Sequence, residues 1–239
     1  MALKEWTKLP SRWIEQKRLR ELRWLKGAGA DNLAGLMTLL VLVHHADEEG
    51  RSIVTYDALT HCTSLSRAKV AAGLSVIEQM GLISRDGRRS GYILSDYDPT
   101  ANWAKIPARL LYAADGRIAA FDDFKLRSPA ELHALKLYFL FASRRDRSTN
   151  FANISFNKIT EYSGVEQHAI KRAISILLHN GLIYVERQRS YVREGGVANA
   201  YRLVGLDTRN HFGTQPADIA AELVSATNTA GKDFNDVPF

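Results

Sequence analysis

A chain of 239 residues, 46% hydrophobic and 24% charged, has the composition of a globular protein of one or two domains. Its one cysteine, Cys62, excludes an internal disulfide and a cysteine metal cluster. The net charge of +6 is uneven: from Asp207 onward two basic and five acidic residues sum to −3, which leaves +9 on residues 1–206 and points to a polyanionic partner for the body.

In chain order, Lys4, Glu5 and Lys8 have no apolar run behind them, so no signal peptide is expected and a cytoplasmic location is the simplest class. Trp6-Thr-Lys8-Leu-Pro10-Ser-Arg12 reads as a short extended piece stopped by proline. Trp13–Leu25 reads as a basic helix, with Lys17, Arg18, Arg20 and Arg23 among Trp13, Ile14, Leu19, Leu22 and Trp24, ended by Gly27-Ala28-Gly29. A buried helix follows around Leu33–Ala46. Its apolar run, Leu36–Val43, is too short to span a bilayer, and no membrane partner is expected. The adjacent His44 and His45 point in different directions on that helix, which argues against a shared metal. Ile53 and Val54 make a short strand, and Thr55 caps a helix over Tyr56–His61. Cys62, on this apolar-patterned segment, fits a small buried side chain. After a turn at Thr63–Leu65, Ser66 caps a helix over Arg67–Gln79, and Gly81 ends it in the left-handed region. Leu82–Ser84 then enters a hairpin through Arg85–Gly91 and returns along Tyr92–Leu94.

Asp96–Asn102 is rich in turn formers and reads as a junction. Beyond it the order recurs. Trp103-Ala-Lys105-Ile-Pro107-Ala-Arg109 repeats the opening piece. Ser128-Pro129-Ala-Glu131 is a capping-box signature before the apolar stretch Leu132–Ala142. Ser155 caps Phe156–Tyr162, Gly164 turns the chain, Glu166–Asn180 is the next helix, and Gly181 ends it. Leu182–Glu186 and Ala200–Val204 form a hairpin around a long loop. Val54–Ile83 and Ile154–Ile183 align at an offset of 100 with no gap. Both end in Gly-Leu-Ile, and Leu59/Ile159, Leu65/Val165, Val70/Ile170, Leu74/Ile174 and Ile77/Leu177 match in register. A repeat of this length is a small domain. The expected fold is mainly α with small β-hairpins, in the α+β class. It divides into a first unit at 1–96, which includes the basic helix, a second at 97–206, and a flexible tail at 207–239.

Helix, short strand, helix, turn, helix and basic hairpin, with Gly-Leu-Ile after the last helix, resembles the winged helix-turn-helix family over nearly all of residues 6–206, twice. Two such units with an N-terminal extended segment are similar to plasmid and phage replication initiators, although no initiator-specific motif is present. The resemblance implies a sequence-specific duplex DNA-binding protein, with single strands as a further option. In the first unit Val70, Leu74 and Ile77 face the core, which leaves Arg67 and Lys69 outward beside Ala68, Ala71 and Ala72 for reading bases. Gly73 costs helix stability and marks close packing. In the second unit Gln167 can read adenine, while Lys171 and Arg172 can hold phosphate. Glu166 suits the helix start but opposes DNA. The hairpins carry Arg85, Arg88 and Arg89 in one unit and Arg187, Arg189 and Arg193 in the other, residues that can clamp phosphates or enter a minor groove. Two unlike readers on one chain suggest a monomer on an asymmetric site.

The sequence holds no phosphate loop, paired-carboxylate motif or His-Cys metal spacing, and Tyr191 with Arg187, Arg189 and Arg193 lacks the histidine framework of strand transfer. Neither enzymatic activity nor a cofactor is expected. The chain closes on Asp233-Phe234-Asn235-Asp236-Val237-Pro238-Phe239, which resembles the C-terminal tip of bacterial single-stranded-DNA-binding protein. It is less acidic, with Asn235 interrupting the run and Val237 where that family has isoleucine. The Phe239 ring and its free carboxylate suit a pocket with a basic edge, and Asp233 and Asp236 suit a basic rim. That resemblance implies host replication or restart proteins as partners, and hence an initiator or recruiter of a plasmid or other mobile element. A winged-helix transcriptional regulator and a protein-interaction scaffold are the alternatives.

Overall fold

The computed structural model describes residues 3–87, 90–189 and 197–206, the side chains of 187–189, 197 and 198 excepted. Arg88, Arg89, Arg193 and the docking residues Asp233, Phe234, Asp236, Val237, Pro238 and Phe239 lie outside the described residues. The chain is a mixed α and β protein with small antiparallel sheets. No helix among the described residues is long and apolar enough to cross a membrane.

The first unit runs β1 (Trp6–Pro10), α1 (Arg12–Glu15), α2 (Gly29–His44), β2 (Arg51–Ile53), α3 (Tyr56–Thr63), α4 (Arg67–Gln79), β3 (Ile83–Arg85) and β4 (Gly91–Leu94). The second runs β5 (Trp103–Pro107), α5 (Pro129–Arg144), β6 (Phe151–Asn153), α6 (Phe156–Ser163), α7 (Gln167–His179), β7 (Ile183–Arg189) and β8 (Val197–Leu203). Each unit holds a three-stranded sheet with the hairpin's return strand in the middle, β2-β4-β3 and β6-β8-β7. The second hairpin is longer, pairing from Ile183 with Leu203 to Arg189 with Val197.

Local chemistry sets the helix ends. The hydroxyls of Thr55, Ser66 and Ser155 accept from the backbone N–H groups of Ala58, Lys69 and Lys158, each three residues on. Ser128 caps α5 through the Ala130 N–H at 3.2 Å, but the reciprocal half of its capping box does not form: Glu131 leaves Oε2 buried without a hydrogen bond. Gly81 (φ +63°) and Gly181 (φ +61°) end α4 and α7 alike. In each case the following leucine N–H reaches five residues back, Leu82 to Ile77 and Leu182 to Leu177, at 2.9 Å.

The stretch Trp13–Leu25 is not one helix. It forms α1 and a 3-10 turn over Arg18–Glu21, separated by Lys17 in the left-handed region at φ +63°. Trp13, Ile14, Leu19 and Leu22 are buried in the common core, and their spacing is set by that packing rather than by one continuous amphipathic face.

The two opening strands pair with each other. β1 and β5 run antiparallel with Lys8 opposite Lys105, the same position of the repeat, so the ribbon has a two-fold through that pair. Trp6 and Trp103 stack at 5.9 Å, and Lys8 and Lys105 each lie over the other strand's tryptophan. Helices α2 and α5 pack together, and the buried residues of both units form one core.

The arms after the ribbon strands are exchanged. The first unit's arm lies on the second unit: Glu15 pairs with Arg144 at 2.7 Å, Lys17 with Glu161 at 2.7 Å, and the Leu22 carbonyl accepts from Lys136 at 2.8 Å. The second unit's arm lies on the first. The Ile118 N–H donates to the Cys62 carbonyl at 3.0 Å, the Ser64 hydroxyl to Asp122 at 2.8 Å, and Tyr112 meets His44 at 3.0 Å. The break at residue 96 divides the sequence repeat, whereas the packing crosses it in both directions. Cys62 is buried, and burial pushes its thiol pKa up.

Candidate nucleic-acid interface

In α4 the buried side is Val70, Gly73, Leu74 and Ile77, as the spacing predicts, and α2 covers it. Arg67 and Lys69 project from the first turn, but neither is unpaired. Arg67 binds Asp57 of α3, and Lys69 binds Asp31 of α2 at 2.7 Å. Surface pairs of this kind contribute about 0–1 kcal/mol to stability, so they orient the cations more than they hold the fold. The sequence reading missed both acids. They place negative charge beside both cations at the start of α4.

In α7 the buried residues are Ile170, Ala173, Ile174 and Leu177. Gln167 donates through Nε2 to Asn157 of α6 at 2.6 Å. Positions 57 and 67 of the first unit correspond to 157 and 167 of the second, so the Asp57–Arg67 ion pair is replaced by a neutral Asn157–Gln167 amide pair in the same place. Lys171 and Arg172 are exposed and hold no ion pair or hydrogen bond among the described residues. Their counterparts in the first unit are Ala71 and Ala72. Glu166 is the residue before the helix, contributes no side-chain cap, and sits 3.3 Å from His168. The two helices therefore differ in kind. The first presents cations tied to carboxylates, and the second presents two untied cations behind an amide.

Arg85 at the base of the first hairpin lies over the Tyr92 ring and 3.6 Å from Glu78. A hydrogen bond to Tyr56 raises its pKa further, so it stays charged at the α4–hairpin junction. Arg187 and Arg189 fall in β7, where their backbones pair with Asn199 and Val197. Arg202 of β8 reaches Glu186 at 3.3 Å and lies over Phe151 and Tyr184, which anchors the base of this hairpin.

A cleft of about 670 Å³ was not anticipated. It lies between the first unit's arm and the start of α7, and it is lined in part by Arg20, Arg23, Trp24, His133, Lys136 and His168. The signal was present in the repeat: Lys136 stands where the first unit has Leu36, and His133 where it has Leu33. No group of three or more His, Cys, Asp or Glu residues suited to a metal occurs among the described residues. No protein-family model matches the chain, and no curated protein matches it.

Proposed function

We propose that the chain is a duplex DNA-binding protein made of two winged-helix units, with α4 and α7 entering major grooves and the two hairpins holding adjacent phosphates. The observation that carries this reading is α7. Its first two turns present Gln167, Lys171 and Arg172 on the face opposite the core, beside a long hairpin, in a body that carries +9. Amide and cation on one helical face are the pair that major-groove readout uses. The two-fold of the β1–β5 ribbon supports half-sites in opposite directions, and the unlike readers support half-sites of different sequence within one chain's footprint.

The role of replication initiator or recruiter for a plasmid or other mobile element rests on two resemblances: tandem winged helices with an opening extended strand, and the terminal Asp233–Phe239 segment. In this reading the body selects the DNA and the tail captures a host replication or restart protein, with no catalysis and no cofactor. Deleting Val237–Phe239 is expected to leave duplex affinity unchanged within about twofold while abolishing capture of host proteins that bind the single-stranded-DNA-binding protein tip. A pull-down in which the truncated chain retains those proteins sinks the recruiter role. If the bound site lies in a promoter and the truncated chain acts there normally, the reading becomes transcriptional regulation.

A further inference from the structure

The cleft between the arm and α7 contains a charge that the fold does not balance. Lys136 lies on α5 and is 3% exposed. One ammonium proton goes to the Leu22 carbonyl at 2.8 Å, and no carboxylate pairs with it among the described residues. The charges that act on it are Arg20 and Arg23, which repel it. Burial first, and those arginines second, push its pKa down to about 8. A buried ammonium is costly without an anion, and adding two like charges raises that cost.

The internal repeat shows that this charge is not a requirement of the architecture. At the equivalent position of α2 the first unit has Leu36, fully buried. At the position equivalent to His133 it has Leu33, also fully buried. Cationic chemistry thus replaces aliphatic packing in one unit only, and there it lines the cleft of about 670 Å³. Arg20 and Arg23 are exposed at this cleft with no ion pair among the described residues. By contrast, Arg117 of the other arm is held by Asp115 and Asp122.

We propose that this cleft is a phosphate-binding site, with the Lys136 ammonium as its floor and the Arg20 and Arg23 guanidiniums at its mouth. Two guanidiniums and an ammonium offer converging donors to the several oxygens of a phosphate. The volume of about 670 Å³ lies within the range of small-molecule sites. Trp24 adds an aromatic wall. Its ring lies so close over Gly29 that a Cβ there would fall 2.5 Å from it, so the glycine leaves the room the indole occupies. Among the described residues Glu166 is the one carboxylate lining the cleft, and His168 sits beside it at 3.3 Å. The phosphate can come from a free nucleotide or from the DNA backbone beside α7; the recognition chemistry is the same.

The test is calorimetric titration of the full chain with sodium tripolyphosphate, with and without a duplex. Saturable binding is expected, weakened tenfold or more in K136L and in the R20A/R23A double variant, with R117A unchanged. K136L installs the residue the first unit already accommodates, and the double variant changes only exposed side chains, so one or both retain the fold. Absence of binding to the wild type, or equal binding by both variants, overturns the proposal. If duplex displaces tripolyphosphate and K136L weakens both, the phosphate is the DNA's; if both ligands bind together, it belongs to a free molecule. This inference goes beyond the DNA-binding reading and can be separated from it. Should the chain bind no duplex, the tripolyphosphate titration still decides the site.

Discussion

Replacing Gly73 with alanine is expected to destabilise the protein by about 2 kcal/mol, although alanine is the better helix former. Gly73 lies on the buried side of α4 where it crosses α2. A Cβ added there would fall 2.7 Å from the Ala34 carbonyl carbon, 2.8 Å from its oxygen and 2.8 Å from the Gly35 nitrogen. All three atoms are main chain, so no side chain can rotate away, and α2 itself would have to shift. Helix propensity favours the substitution by about 1 kcal/mol, while overpacking a core contact costs about 1–3 kcal/mol. A contact this short against backbone lies at the upper end of that range, so the clash wins. At the corresponding positions the second unit has Ala173 and Leu135, both buried, in place of Gly73 and Gly35. Urea unfolding of G73A measures the effect; a midpoint equal to or above the wild type would mean that α2 and α4 are not in this contact.

Acidification from pH 6.5 to 5 is expected to remove about 2 kcal/mol of stability through His44. This imidazole is buried at the end of α2, with Nδ1 3.0 Å from the Tyr112 hydroxyl and Nε2 without a hydrogen bond. Burial, then repulsion by His45, lowers its pKa from 6.5 to about 3, with the backbone at Pro107 opposing the shift. The folded state therefore holds His44 neutral, whereas the unfolded chain takes up a proton below pH 6.5. The contribution is complete above that pH and is lost as pH falls toward about 3, at roughly 1.4 kcal/mol per pH unit. The lowered pKa values of His45 and His133 add in the same direction. Asp146 and Glu161, both held near 2 by their hydrogen bonds, act at lower pH and leave this window to the histidines. In H44L the slope of stability against pH is expected to flatten between 6.5 and 5. An unchanged slope would place the proton uptake elsewhere. Because Tyr112 belongs to the exchanged arm, the same protonation loosens the join between the units.

The repeat made much of this architecture legible. The caps at Thr55, Ser66 and Ser155, the ends at Gly81 and Gly181, and the close approach at Gly73 are local or register properties, and sequence reads them. The pairing of β1 with β5 and the exchange of arms are not local. Trp6-Thr-Lys8-Leu-Pro10 has no feature that names its partner strand, and the burial of Leu19 and Leu22 depends on a core assembled from both units. The candidate site divides in the same way. The outward positions of Lys171 and Arg172 follow from helix periodicity. The neutralisation of Arg67 by Asp57 follows from α3 and α4 lying side by side. Lys136 was hidden because its neighbours spell an apolar helix; only comparison with Leu36 sets it apart.

The measurement that bears most directly on the central claim is the salt dependence of duplex binding by the full chain, wild type beside D57N. The reading predicts a log–log slope steeper than about −4, as the release of counterions from several phosphates requires. D57N, which gives the first unit the second unit's residue, should steepen it by about 1 and raise affinity as Arg67 is released. An absence of duplex binding, or a slope near zero in both proteins, would contradict the account.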